Sequence, residues 1–271
     1  MSTCDNDCST CSSKCEKADF RIQCNKNSKI DNIYAIISGK GGVGKSLVTS
    51  LLAVASINSG KKTAILDADI TGPSIPKSFG IVEKASGTNE EIFPNLSQKG
   101  IEIMSANLLL NDDCDPVIMR GPIIAGMVKQ FYSDVNYGHV DNMFIDCPPG
   151  TGDVPLTVFQ SIPVKGIIIV TSPQELVSMI VKKAVNMAQM MNIPILGIVE
   201  NMSYFKCPTC NDIHYIYGKS DIENVANEYG IKKIVKMPIN PELATLCDEG
   251  NIESYSGKEL NELLNIIESE N

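Results

Sequence analysis

The chain has 271 residues, 43% of them hydrophobic and 20% charged, with a formal net charge of −9. That length suits one large α/β domain with a substantial core, and that composition is ordinary for a soluble globular protein. No run is long enough to span a membrane, no apolar secretory core opens the chain, and the excess of acid argues against a nucleic-acid partner. The expected compartment is the cytoplasm.

Residues 1–30 read as a flexible tail and residues 31–271 as a single domain without internal repeats. The tail carries Cys4, Cys8, Cys11, Cys15 and Cys24 of the chain's 10 cysteines and has almost no apolar residue before Phe20. Such a segment is expected to be disordered without a ligand. In a long chain lacking an export signal, cysteines in this number point to metal or cluster binding rather than disulfides. Cys114, Cys147 and Cys247 are scattered and read as small core or surface residues.

From residue 33 short β-branched runs alternate with helical stretches. YAIIS (34–38), KTAILDA (62–68), IEIMSA (101–106), NMFIDC (142–147), GIIIVTS (166–172), PILGIVEN (194–201) and KIVKMP (233–238) predict buried strands. ELVSMIVKKAVNMAQMMN (175–192) repeats Leu176, Ile180, Ala184, Val185, Ala188 and Met191 at helical spacing. Met179, Met187, Met190, Met191 and Met202 read as gap-fillers of a core or an interface. EKASGTNEEIF (83–93) reads as a solvated insertion and His139 as an exposed loop residue. GKELNELLNIIESE sets Leu260, Leu263, Leu264 and Ile267 on one face of a docked terminal helix. The alternation predicts an α/β fold: a doubly wound, mostly parallel sheet with helices on both faces.

Between the first strand and its helix stands GKGGVGKS, a phosphate-binding loop in its proper context. The candidate nucleotide contacts run from Gly39 through Lys40, Gly41, Gly42, Val43, Gly44, Lys45 and Ser46 to Leu47. The glycines let the backbone turn tightly and aim its amides at phosphate oxygens, and the helix start adds its positive end. Lys45 is expected on the β- and γ-phosphates and the Ser46 hydroxyl on Mg²⁺. A glycine-rich turn without a ligand is the plainer alternative.

Carboxylates at later strand ends fit the same site. Asp67 and Asp69 in AILDADITGPSIP lie where open α/β sheets bind ligands. Asp69 is assigned to orient the attacking water, and Asp67 to hold Mg²⁺ through water or to support the switch. Asp146, after the apolar run of NMFIDC, is the Walker B candidate for magnesium, and PPGTGD after it is a loop able to sense the γ-phosphate. A lone strand-end Asp is often only a helix cap.

Lys40 is one lysine more than the loop needs. KGGxGK[ST] resembles the deviant Walker motif of the MinD/ParA/nitrogenase-iron-protein class of ATPases, in which the early lysine reaches the nucleotide of the other subunit. The resemblance implies a catalytic role in trans for Lys40 and a coupling of ATP binding to dimer geometry. DADITGPS, MRGPIIAGMVKQF, DCPPGTGD and NMSYFKCPTC, in this order, resemble the Mrp/ApbC family of iron–sulfur cluster carrier ATPases. What that implies is a homodimer, Mg-dependent ATP hydrolysis, a transferable [4Fe–4S] cluster and apoprotein acceptors. Carried over, the cluster ligands are Cys207 and Cys210, and Asn201 and the backbone around Pro238 hold the adenine.

The chemistry of CPTC stands beside that resemblance. Two thiolates grip one metal centre, but a cubane cluster or tetrahedral zinc takes four ligands, and a two-fold dimer would supply the missing pair. Structural zinc with His214 reaches only three ligands; a redox pair is the other alternative. Some members of the broader family carry a second, more permanent cluster on N-terminal cysteines. The spacing of Cys4, Cys8, Cys11 and Cys15 departs from the eukaryotic pattern, which lets an adventitious metal-binding tail stand beside that role. Two other functions compete with the carrier. A MinD/ParA-like positioning ATPase would leave CPTC idle or structural, and the terminal helix lacks a basic face for lipid. An electron-transfer ATPase like the nitrogenase iron protein would have its cluster cysteines far apart in sequence.

Overall fold

The computed structural model describes residues 21–70, 72, 74–88, 91–109, 121–173 and 176–269. Cys4, Cys8, Cys11, Cys15 and Cys114 lie outside them. The described chain is already tied down before residue 30: the Ile22 N–H donates to the Ser161 carbonyl at 2.8 Å. Ile22 and Cys24 also pack against the core. The last part of the segment read as tail therefore lies against the domain through these two apolar anchors.

Strand β1 (Lys29–Ser38) runs through the phosphate loop into helix α1 (Lys45–Asn58), then β2 (Thr63–Asp67) and the short α2 (Ile75–Ser78) follow. β3 (Ser86–Gly87) and β4 (Ile92–Phe93) pair antiparallel in the segment read as an insertion. β5 (Asn95–Leu96), β6 (Glu102–Ser105), α3 (Gly121–Ser133), β7 (His139–Asp146), α4 (Asp153–Ser161), β8 (Gly166–Thr171) and α5 (Leu176–Met190) come next. β9 (Ile195–Lys206), β10 (Ile213–His214), α6 (Ile222–Glu228), β11 (Ile234–Pro238), α7 (Pro241–Asp248) and α8 (Asn261–Ser269) complete the order.

Among the described residues the main sheet runs β10–β9–β8–β1–β7–β2–β6–β5, with β11 also on β9. All pairs except β5–β6 and β9–β10 are parallel. The loop-bearing β1 lies between β7 and β8, where strand order reverses and ligands of such sheets bind. Side chains alternate across the sheet: Ala35 and Ile37 enter the layer under α3–α6, while Tyr34 and Ile36 enter the layer under α1, α7 and α8. Leu263, Leu264 and Ile267 of α8 are buried in that second layer, and the Tyr34 hydroxyl donates to the Ile267 carbonyl at 3.3 Å. In α5, Val181, Ala184, Val185, Met187 and Ala188 are buried, whereas Met179 and Met190 are exposed.

Two strands are longer than their apolar runs. β1 begins at Lys29, and its first four residues alternate between exposed and half-buried with Ile30 the one apolar side chain, so no hydrophobic pattern marks them. β9 continues to Lys206 through MSYFK, of which Ser203 is buried, Met202, Tyr204 and Phe205 are half-buried and Lys206 is exposed. Among the described residues no helix is long and apolar enough to cross a membrane.

Candidate functional site

The turn between β1 and α1 requires glycine. Gly42 and Gly44 have φ of 80° and 83°, a region costly for any residue with a Cβ. A Cβ on Gly44 would also collide with the amide nitrogen of Asn201. That amide donates to the Val43 carbonyl at 3.0 Å, and the Asn201 side-chain oxygen accepts the Met202 N–H at 2.9 Å. Asn201 thus braces the loop from behind. Lys40 is exposed.

Asp146 organises the base of the loop. Its carboxylate accepts the Lys45 ammonium, the Ser46 hydroxyl and the Thr49 hydroxyl, each at 2.6 Å. Lys45 is 6% exposed and lies 3.7 Å from Asp69. Burial opposes its charge, but Asp146, Asp69 and Asp67 outweigh that and hold its pKa above the ordinary lysine value. Thr49 and Lys45 stand four residues apart on α1, so they share a face and meet the same carboxylate. Sequence reading missed Thr49, and that spacing is the signal that would have found it.

Asp67 faces elsewhere. It pairs in register with Asp146 across β2 and β7 and accepts the Ser105 hydroxyl at 3.0 Å and the Asp69 N–H at 3.1 Å. Burial first, and the Asp146 charge second, push its pKa up to about 8. A carboxyl sealed behind the turn and bonded to the Asp69 N–H fits support of the Asp69 loop.

In front of these groups opens a cavity of about 440 Å³, with Gly41, Gly42, Gly44, Lys45 and Ser46 on one wall and Asp69, Lys77, Pro149 and Cys247 on others. Ser38, another lining residue, holds a buried hydroxyl without a hydrogen-bond partner. Lys77 and Cys247 were not singled out by the sequence, since nothing local marks α2 and α7 as neighbours of the loop. Cys147, directly after Asp146, is buried, which drives its thiol pKa to about 12 and leaves it inert.

Cys207 and Cys210 lie apart from this cavity, at the turn of the β9–β10 hairpin, where Ile213 and His214 pair with Lys206 and Phe205. The Cys207 N–H donates to Asp212 O and the Asn211 N–H to Cys207 O, both at 2.9 Å. The amides of Cys210 and Thr209 and the Cys210 thiol turn toward the Cys207 sulfur and lower its pKa, favouring thiolate. This is a knuckle that brings two thiols together, Cys207 half-buried and Cys210 exposed, with the Cys210 thiol donating to the Asp212 carboxylate at 3.2 Å. Ile213, Tyr215, Ile216 and Tyr217 beside it are also exposed. His214 does not join them: among the described residues only Asp31, His139 and Asp141 bring three potential ligand atoms together. That group is an ion-paired surface cluster at the start of β1 and β7, where His139 lies 3.0 Å from Asp31. Pro238 closes β11 opposite Tyr204 and does not line the cavity.

The family model described as ParA: NUBPL iron-transfer P-loop NTPase matches residues 29–270. An iron–sulfur cluster carrier protein of Methanocaldococcus jannaschii is 46% identical over 261 residues, covering 92% of this chain and 90% of the relative. An iron–sulfur cluster transfer protein NUBPL of Dictyostelium discoideum is 39% identical, covering 82% of this chain and 69% of the relative. Among solved structures, a nucleotide-binding protein of Archaeoglobus fulgidus in complex with ADP superposes with a TM-score of 0.77 at 44% identity, covering 85% of this chain and 91% of that one. The cell division ATPase MinD of Pyrococcus furiosus, at 20% identity and a TM-score of 0.65, shares the fold over 89% of this chain and 99% of its own.

Proposed function

The chain belongs to the family of NUBPL-type iron-transfer P-loop NTPases, and from that premise we propose that it is an ATP-hydrolysing iron–sulfur cluster carrier. In this reading it holds a [4Fe–4S] cluster between two copies of itself and delivers it to apoproteins in the cytoplasm. The names of its relatives, which are carrier and transfer proteins, support the cargo. The ADP complex of the Archaeoglobus relative supports the nucleotide.

The phosphate-loop amides receive the nucleotide's phosphates, and Lys45 turns from Asp146 to them. Ser46 and Asp146 offer hard oxygens 2.6 Å apart, the donor chemistry magnesium takes, so they would hold it. Bound there, the ion neutralises charge on the β- and γ-phosphates. Asp69, beside Lys45 and backed by the neutral Asp67, orients water for attack. Lys40 of one copy stabilises the charge that develops on the phosphoryl group in the other. By the family resemblance Asn201 and the chain near Pro238 hold the base, beyond the phosphate cavity that neither of them lines.

The observation that carries the cluster assignment is the Cys207–Cys210 knuckle. It holds two thiols with lowered proton affinity at Cys207; the Asp212 carboxylate accepts the Cys210 thiol at 3.2 Å, but among the described residues no third potential ligand atom gathers with both sulfurs. A cluster takes about four thiolates, and a second copy supplies the other pair. The exposed apolar residues 213–217 next to the knuckle give that pairing a surface to bury.

The test is anaerobic reconstitution of a chain with Cys4, Cys8, Cys11 and Cys15 changed to Ser, with and without Cys207→Ala/Cys210→Ala. About four irons and four sulfides per dimer, lost in the double variant, are expected. Zinc without sulfide, or a cluster that survives the double variant, would overturn the assignment.

A further inference from the structure

Strand β9, Ile195–Lys206, joins the phosphate loop, through a hydrogen bond, to the cysteine knuckle, through the chain itself. Asn201 on this strand is bonded to the Val43 carbonyl of the loop, and Cys207 follows its last residue. A displacement of the loop therefore acts on the strand that carries the cysteines, unless something between them absorbs it.

The segment between is not regular strand. Met202 has φ of 55°, a left-handed conformation uncommon for a residue with a long side chain. Beside it the pairing register with β11 shifts between Lys236 and Pro238. Glu200 and Ser203 flank this kink, both buried at 1% and 3% exposure, and the Ser203 hydroxyl donates to Glu200 Oε2 at 2.5 Å. Glu200 Oε1 is buried without any hydrogen-bond partner. A buried acceptor without a donor is rare and calls for an explanation. A donor stands directly across: Lys236 pairs with Glu200 in register, while its ammonium is engaged by Glu223 at 2.7 Å. The kink thus has an observed arrangement and a second one within reach, in which Lys236 exchanges Glu223 for Glu200.

We propose that the Glu200–Ser203 kink is the coupling element between nucleotide and cluster, taking up movement of the phosphate loop through Asn201 and re-aiming the Cys207–Cys210 knuckle. The inference rests on the carrier reading above and names its internal control. Glu200 and Ser203 are positioning residues, acting through the strand rather than on nucleotide or cluster. An element with two discrete positions is what converts loop occupancy into a change of thiol presentation.

The experiment follows iodoacetamide labelling of individual cysteines by mass spectrometry in the full-length, cluster-free protein under anaerobic conditions. Three states are compared: nucleotide-free, Mg-ADP, and Mg with a non-hydrolysable ATP analogue, with light scattering reporting the oligomer. Cys247 lines the phosphate cavity and so reports occupancy by its protection. Nucleotide is expected to change labelling of Cys207 and Cys210 by about fivefold or more in the wild type. In Glu200→Gln and in Ser203→Ala the change should fall below about twofold, with Cys247 protection and oligomeric state retained. Two results overturn the proposal: an undiminished change in both variants, or wild-type cysteines indifferent to a nucleotide that protects Cys247. Failure of the carrier reading would look different, as a cluster retained by Cys207→Ala/Cys210→Ala.

Discussion

Asp67→Asn tests whether the carboxyl behind the Asp69 loop is neutral. Burial and the neighbouring Asp146 raise its pKa from 3.8 to about 8. Between those values the folded protein holds a proton that the unfolded chain has lost, so this group's contribution makes stability fall as pH rises. One whole proton corresponds to about 1.4 kcal/mol per pH unit. With the group already partly titrated at the upper end, Asp67 alone removes roughly 2 to 3 kcal/mol between roughly pH 5.5 and 7.5. Asparagine matches the neutral acid in shape, keeps an acceptor for the Asp69 N–H, and carries no charge at any pH. The variant should lack this slope and gain roughly 2 to 3 kcal/mol on the wild type across the window. Urea unfolding of nucleotide-free protein at several pH values reads the difference directly. Parallel curves for the two proteins would mean that Asp67 is ionised in the folded state, and its place would then be with the metal.

Other substitutions address the loop. Lys40→Ala should lower ATP hydrolysis by roughly 10³-fold with little loss of nucleotide affinity, as removal of a cation supplied in trans does. Mixing it with Asp69→Asn, itself inactive, should restore phosphate release, because one site of the mixed dimer then holds both groups; no rescue would place Lys40 in its own site. Gly44→Ala forces a Cβ into the left-handed region and against Asn201, and should cost about 2 kcal/mol and most nucleotide affinity, measured by thermal unfolding and nucleotide titration. Thr49→Val removes a bond to the Asp146 carboxylate and should destabilise the nucleotide-free protein by about 2 kcal/mol, read as a lower urea midpoint at unchanged slope.

How much of this was legible in the sequence depended on whether the information was local. The phosphate loop was, because glycine, lysine and serine act there at fixed spacing on one turn. The alternation of strand and helix was, because parallel strands buried on both faces read as apolar runs. The order of the strands was not: nothing in AILDAD and NMFIDC says that β2 and β7 are neighbours, so the pairing of Asp67 with Asp146, and hence the raised pKa, is invisible until the sheet is assembled. The same holds for Ser105, which reaches Asp67 from β6. The last five residues of β9, 202–206, lie beyond the predicted run PILGIVEN for a different reason: Met202 is left-handed and the buried Ser203 bonds back to Glu200, so the side chains there keep no hydrophobic period.

The charges at the site explain why magnesium and nucleotide should enter together. Lys45 is neutralised by Asp146 at 2.6 Å, and Asp69 stands at 3.7 Å. A triphosphate alone would draw Lys45 away and leave Asp146, which is fully buried, as a carboxylate without its cation. An unpaired buried charge costs several kcal/mol, enough to offset much of what the lysine gains on the phosphate. A divalent cation held between Ser46 and Asp146 removes that cost, because it replaces the lysine at the carboxylate and neutralises the phosphates at once. The Ser46 and Thr49 hydroxyls already point at Asp146, so little rearrangement is required for the exchange. Nucleotide affinity should therefore fall steeply when magnesium is chelated, and Asp146→Asn should remove most of that dependence. A magnesium dependence undiminished in Asp146→Asn would place the ion elsewhere and leave the carboxylate as no more than a tether for Lys45.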